Sequence, residues 1–245
     1  MFHRSSTAPD VAGATISLDG LLVPNPSSVR HLGVVLSSSL SWSAHIASLG
    51  RQVGWKVSLL KHLAFRANIP LYVLSLFYKT LVRPCMEYAS SVWDNCSAAD
   101  STTLELLQLS LSYVFLSVHF GSSYVSQLSK SQRLHLLCWP TLSWRQRRQK
   151  LILFLQLNNG FSPSSLSAQL PAAVSARCDY ALRSSHSSQV PFCSSSSHLS
   201  SFLPSTCLLW NSLPVAISSA RSVLSFTGLL DQFFASDTYS FGLPT

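Results

Sequence analysis

The sequence predicts a mainly α-helical protein, with a small antiparallel sheet at the N-terminus and a loosely ordered C-terminal extension. Three observations carry that reading. Turn residues separate short apolar runs over residues 14–36. Apolar residues then recur every three or four positions through much of 41–160, and a Ser- and Pro-rich stretch interrupts the pattern over about 162–201.

In the first region, Ala14–Leu18 and Val29–Leu36 are apolar runs divided by Asp19-Gly20 and by Pro24-Asn25-Pro26, the pattern of short antiparallel strands. Gly33 is expected where a side chain does not fit. Ser41 then offers an N-cap, and Trp42, Ile46, Leu49, Val53, Val57, Leu60 and Ala64 fall on one face at about 100° per residue. Arg51, Trp55, Ser58, His62 and Arg66 collect on the opposite face. A Pro-led helix is expected over about 68–83. It is apolar nearly all round, which predicts burial on both sides, and Pro84 is expected to end it. A third helix is predicted over 101–118.

Residues 141–157 read as a helix whose first half holds Arg145, Arg147, Arg148 and Lys150. Its second half holds Leu151, Ile152, Phe154 and Leu155, with Asn159-Gly160 as the stop. The final block, 202–234, contains short amphipathic segments around Trp210 and Leu224. The resulting division is 1–40 (strands), 41–160 (helical domain), 161–201 (Ser-rich linker, poorly ordered) and 202–245 (short helices).

Charged residues make up only 11% of the 245, and the net charge is +8 with a pI near 9.4. Such a balance favours an anionic partner such as nucleic acid or an acidic membrane surface, against the alternative that a mildly basic balance has no specific meaning. No basic start followed by an apolar stretch opens the chain, and its longest apolar runs are interrupted by Lys79, Glu105 and Gln108. The expectation is an intracellular protein, nuclear or cytoplasmic, with no membrane segment. Six widely spaced cysteines without any Cys-x-x-Cys then read as free thiols.

Several ordered blocks carry more specific information. They are Val29-Arg30-His31-Leu32-Gly33-Val34-Val35-Leu36, Leu40-Ser41-Trp42-Ser43-Ala44-His45-Ile46, the run from Leu81 to Asp94, Trp139-Pro140-Thr141-Leu142, and Leu208-Leu209-Trp210-Asn211-Ser212-Leu213-Pro214. In order and spacing they resemble the C-terminal, thumb-side part of a LINE-type (non-LTR) retrotransposon reverse transcriptase. The resemblance runs over about residues 1–235 and departs from the pattern at Ser37 and within Leu109–Ser112. It implies that 1–40 are the palm's last strands, that 41–160 are a helical thumb-like bundle, and that the chain begins just downstream of the chemistry.

Nucleotidyl transfer needs paired carboxylates to hold two metal ions. The nine acids here (Asp10, Asp19, Glu87, Asp94, Asp100, Glu105, Asp179, Asp231 and Asp237) include no Asp-Asp pair. A truncated, non-catalytic piece is therefore expected, with no cofactor and no metal site.

By the resemblance, Arg51, Trp55, His62 and Arg66 would lie along a template–primer backbone; the competing reading is an ordinary solvent face. Arg145, Arg147, Arg148 and Lys150 are the densest positive charge and a candidate phosphate-binding cluster, against a solvated helix start. Expected partners are RNA, DNA or an RNA–DNA hybrid; the rivals are a helical protein-interaction module, self-associating or capturing a partner through exposed apolar surface, and a transposon relic with no selected function. Glu87 is read as pairing with Arg83, and Trp93, Trp139 and Trp210 as core residues. His135-x-x-Cys138 and the run Cys178, His186, Cys193, His198 match no standard zinc spacing. No Gly-x-Ser-x-Gly supports a hydrolase.

Overall fold

A computed structural model describes residues 17–22, 26–66, 69–160, 170–171, 188–220 and 222–237. The fold is mainly α. Two separate antiparallel hairpins precede the helices: β1 (Ser17–Leu18) with β2 (Leu21–Leu22), and β3 (Ser28–His31) with β4 (Val34–Ser37). Both turn through left-handed residue pairs, Asp19-Gly20 and Leu32-Gly33, which match the twist of tight hairpins. The expectation for Gly33 holds: its φ is +85°, and a Cβ there would lie 3.2 Å from the Tyr88 ring. Tyr88 also donates its hydroxyl to the Leu32 carbonyl at 2.9 Å, so the hairpin tip is tied to the helices.

The long helix α1 (Ser43–Arg66) buries Ile46, Leu49, Val53, Val57, Leu60 and Ala64, as the spacing predicts, together with His45. Ser41 accepts from the Ser43 amide, while the Trp42 carbonyl takes the Ile46 amide. The helix expected over 68–83 is different. It comprises α2 (Leu71–Phe77), a π-helical turn (Tyr78–Val82) and α3 (Arg83–Glu87), so Pro84 sits in the first turn of α3 instead of ending the segment.

Two causes favour the wide turn. Pro84 has no N–H and its ring crowds the carbonyl four residues earlier. In addition, Leu74, Tyr78, Val82 and Met86 are all buried at strict intervals of four. Such a stripe drifts by about 40° per step on a regular α-helix, and a π turn takes up that drift. Expected burial on both sides also fails, because Tyr72 and Leu76 of α2 face outward.

After α4 (Ser90–Trp93), Ser97 caps α5 (Ala98–Phe120) by accepting from the Asp100 amide. By length and composition alone α5 could cross a membrane; here it is the central helix, with Leu104, Gln108, Leu111, Ser112, Phe115 and Leu116 buried. Then follow α6 (Ser122–Ser126) and α7 (Lys130–Leu136), which periodicity did not reveal. A Ser129–Gln132 capping box opens α7.

Helix α8 (Leu142–Asn158) is capped by Thr141. The C-terminal helices are α9 (Ser196–Leu199), α10 (Phe202–Asn211), α11 (Val215–Ser218) and α12 (Val223–Asp237). Most of the predicted linker lies outside the described residues. Of its described part, Ser188 exchanges two hydrogen bonds with the Asn211 side chain.

There are two cores, and α8 contributes to both. The larger, between α1, the α2–α3 segment, α5 and α7, ends at Leu142. Tyr78 and Trp139 stack inside it at 3.7 Å between centroids, with the Phe115 ring edge-on to Trp139. The smaller joins Leu151, Phe154 and Leu155 of α8 to Cys207, Trp210, Phe226 and Leu230. Trp93, Trp139 and Trp210 are all buried, as expected of core aromatics.

Candidate nucleic-acid interface

Two groups of cations stand out in the sequence, and the fold treats them differently. Arg51, Trp55, His62 and Arg66 all lie on the exposed side of α1, with Trp55 68% exposed. At about 100° per residue they fall within an arc of roughly 60°. The buried stripe of α1 lies diametrically opposite. Arg51 and Arg66 are about 22 Å apart along the axis, and among the described residues neither enters an ion pair. Trp55 and Phe65 place aromatic surface between and beside the charges. The result is a basic strip with an aromatic in its middle, built on one rigid helix.

The group at 145–150, the candidate phosphate-binding cluster, is for the most part turned inward. Arg145 is only 2% exposed. Its Nε pairs with Glu87, one Nη contacts the Pro140 carbonyl, and the other lies 2.8 Å from Gln108 Oε1. Gln108 is itself fixed, accepting from the Tyr78 hydroxyl at 2.6 Å and donating to the Pro140 carbonyl at 3.0 Å. The Arg83–Glu87 pair read from the sequence forms at 2.6 Å, and Gln149 donates to the second Glu87 oxygen.

Lys150 is buried too, pairing with Asp94 at 2.6 Å and donating to Ser205 at 2.8 Å. Arg148 makes a two-pronged pair with Asp231 at 2.6 and 2.9 Å. Arg147 is exposed and lines a cleft of about 390 Å³ with Asp94, Lys150, Ser205, Leu208, Leu209 and Ser212. Arg145, Arg148 and Lys150 are thus each paired with an acid of the same chain, which also explains how the first half of the helix tolerates them against its dipole.

The partners were hard to see in advance. Glu87, Asp94 and Asp231 lie far from 145–150 in sequence, and the only warning is that so few acids serve so many bases. Burial raises the pKa of Asp94, with Lys150 pulling it the other way, and burial also raises that of Glu105. Glu105 accepts the Leu142 amide at 2.7 Å and so holds the start of α8. Tyr78 is pushed up to about 12, chiefly by burial.

Among the described residues no cluster of His, Cys, Asp and Glu is arranged to hold a metal ion. Cys178 and His186 lie outside them. No family model, no curated protein and no solved structure matches the chain.

Proposed function

We propose that this chain is a thumb-like helical module of a LINE-type retrotransposon reverse transcriptase, without catalytic activity of its own, that grips nucleic acid through the outer face of α1. The observation that carries this reading is the strip of Arg51, Trp55, His62 and Arg66, which enters no ion pair among the described residues and lies on the side of α1 opposite its packed stripe. Cations spaced along a helix suit backbone phosphates, and an exposed indole between them suits a base or sugar. The ordered sequence blocks support the family assignment. The lack of an Asp-Asp pair in these residues supports a binding role over phosphoryl transfer.

The test is fluorescence anisotropy with a labelled RNA–DNA hybrid at several salt concentrations, comparing the chain with an Arg51→Ala/Arg66→Ala variant. Binding that weakens with salt is expected. The log–log slope should flatten by about 2 in the double variant. A folded chain that shows no binding, or equal slopes for both proteins, overturns the reading.

A second reading, self-association, is favoured by the outward-facing Tyr72 and Leu76 of α2, 74% and 54% exposed. It predicts a sedimentation coefficient that rises with protein concentration and does not respond to salt.

A further inference from the structure

Lys56 follows Trp55 on α1 but reaches inward across the helix pair. Its Nζ lies 3.0 Å from the Leu81 carbonyl oxygen and 2.8 Å from Cys85 Sγ. The Cys85 thiol donates to the same carbonyl at 3.4 Å. Ammonium, thiol and carbonyl thus form a closed triangle joining α1, the π turn and α3. Among the described residues Lys56 has no carboxylate partner. Neither Lys56 nor Cys85 is fully buried.

The lysine nitrogen and the cysteine sulfur are already within bonding approach of each other, on two different helices. The remaining described cysteines lack this arrangement. Burial pushes the thiols of Cys96 and Cys207 up to about 11. Cys193 donates to the Pro191 carbonyl, and Cys138 is exposed.

We propose that Lys56 and Cys85 form a peroxide-responsive modification site, in which oxidised Cys85 is captured by the Lys56 amine as a covalent N–S bridge between α1 and α3. In the first step the thiol attacks hydrogen peroxide. The O–O bond breaks, an S–O bond forms, sulfur gives up two electrons as a sulfenic acid, and the peroxide is reduced to water. In the second step the Lys56 nitrogen, having lost a proton to solvent, attacks sulfur. The N–S bond forms as the S–O bond breaks, and the hydroxyl leaves as water by taking up a second proton from the nitrogen. The second step needs no further oxidant, and a thiol reductant reverses the bridge by attack on sulfur.

The bridge is independent of any role in nucleic-acid binding. It is tested on the whole chain, treated with low hydrogen peroxide, then alkylated and digested with trypsin. Trypsin does not cut after a bridged Lys56. The expected product therefore joins residues 52–61 to the peptide holding Cys85, two hydrogens lighter than the sum of its parts, and dithiothreitol abolishes it. Lys56→Arg keeps a cation at the Leu81 carbonyl and should give Cys85 sulfenic acid, trapped by dimedone, with no bridge.

Because the bridged peptide is sought in the unaltered protein, the test does not depend on a variant folding. Oxidation that stops at sulfenic or sulfinic acid on Cys85 in the unaltered protein overturns the proposal. So does oxidation confined to other cysteines.

Discussion

Arg145 of α8 and Glu87 of α3 meet as an ion pair inside the protein, with the arginine side chain almost wholly removed from solvent. Glu87 also receives Arg83 and Gln149, so one carboxylate gathers α3 and α8. The densest positive charge of the sequence is thereby spent on cohesion.

Removing Arg145 should be costly. Arg145→Ala takes one of two donors from Gln108 Oε1 and from the Pro140 carbonyl and leaves Glu87 without its most buried partner, so a loss of about 3–5 kcal/mol is expected. Arg51→Ala, on the outer face of α1, should change stability by no more than about 0.5 kcal/mol. Urea denaturation of both variants checks the contrast. Similar losses would mean that the two cation groups are not distinguished by the fold.

Gly33→Ala should destabilise the β3–β4 hairpin. A left-handed residue other than glycine costs about 1–2 kcal/mol, and the new Cβ presses on the Tyr88 ring. Tyr88→Phe keeps the ring and removes only the bond to Leu32, for about 1 kcal/mol. Thermal melts of the two variants rank them, with Gly33→Ala the lower.

His45 should make stability fall in mild acid. Its Nδ1 accepts the Val35 amide at 3.3 Å, and its ring lies against Trp93. Burial lowers its pKa below 6.5, and the nearby Arg30 adds to the effect. The unfolded chain therefore binds a proton at a higher pH than the folded chain does. Stability is full above about pH 6.5 and declines as pH falls from there toward the folded pKa. Protonated Nδ1 cannot accept from Val35, so the β3–β4 hairpin should loosen first. Denaturant midpoints at pH 7.5 and 5.5 for the unaltered chain and His45→Gln check this; the variant should lose that part of the slope.

On the proposed grip of nucleic acid by α1, Trp55→Ala should weaken binding of a single-stranded or hybrid ligand by about 1–3 kcal/mol, the usual worth of one stacked base. Its effect on stability should be small, because the indole stands mostly in solvent. Anisotropy titrations paired with melting curves separate the two effects. A large drop in melting temperature would place Trp55 in the packing instead.

The sequence made α1 legible because its apolar residues follow the helical period over six turns and nothing interrupts them. The stop of α8 at Asn159-Gly160 was legible for another reason, since helix ends carry local signals. The π turn was not. Leu74, Tyr78, Val82 and Met86 recur every four residues, which resembles helical spacing closely enough to hide the extra width. Pro84 was read as a terminator because Pro at a helix start and Pro at a helix end look alike in sequence.

Helices α6 and α7 span five and seven residues, too few turns to show a period. Of the candidate site, the α1 strip was visible on a helical wheel. The fate of Arg145, Arg148 and Lys150 was not, because it depends on acids that only tertiary folding brings near.

Helix α8 touches α3, α4 and α5 on one side and α10 and α12 on the other. Its first half is held by polar pins and its second half by apolar packing. The C-terminal helices reach the rest of the molecule principally through this one rod, so neither half can melt alone without exposing part of a surface the other half needs. Amide protons of α8 should therefore exchange together and among the slowest in the chain, and its seventeen residues set the cooperativity of the whole.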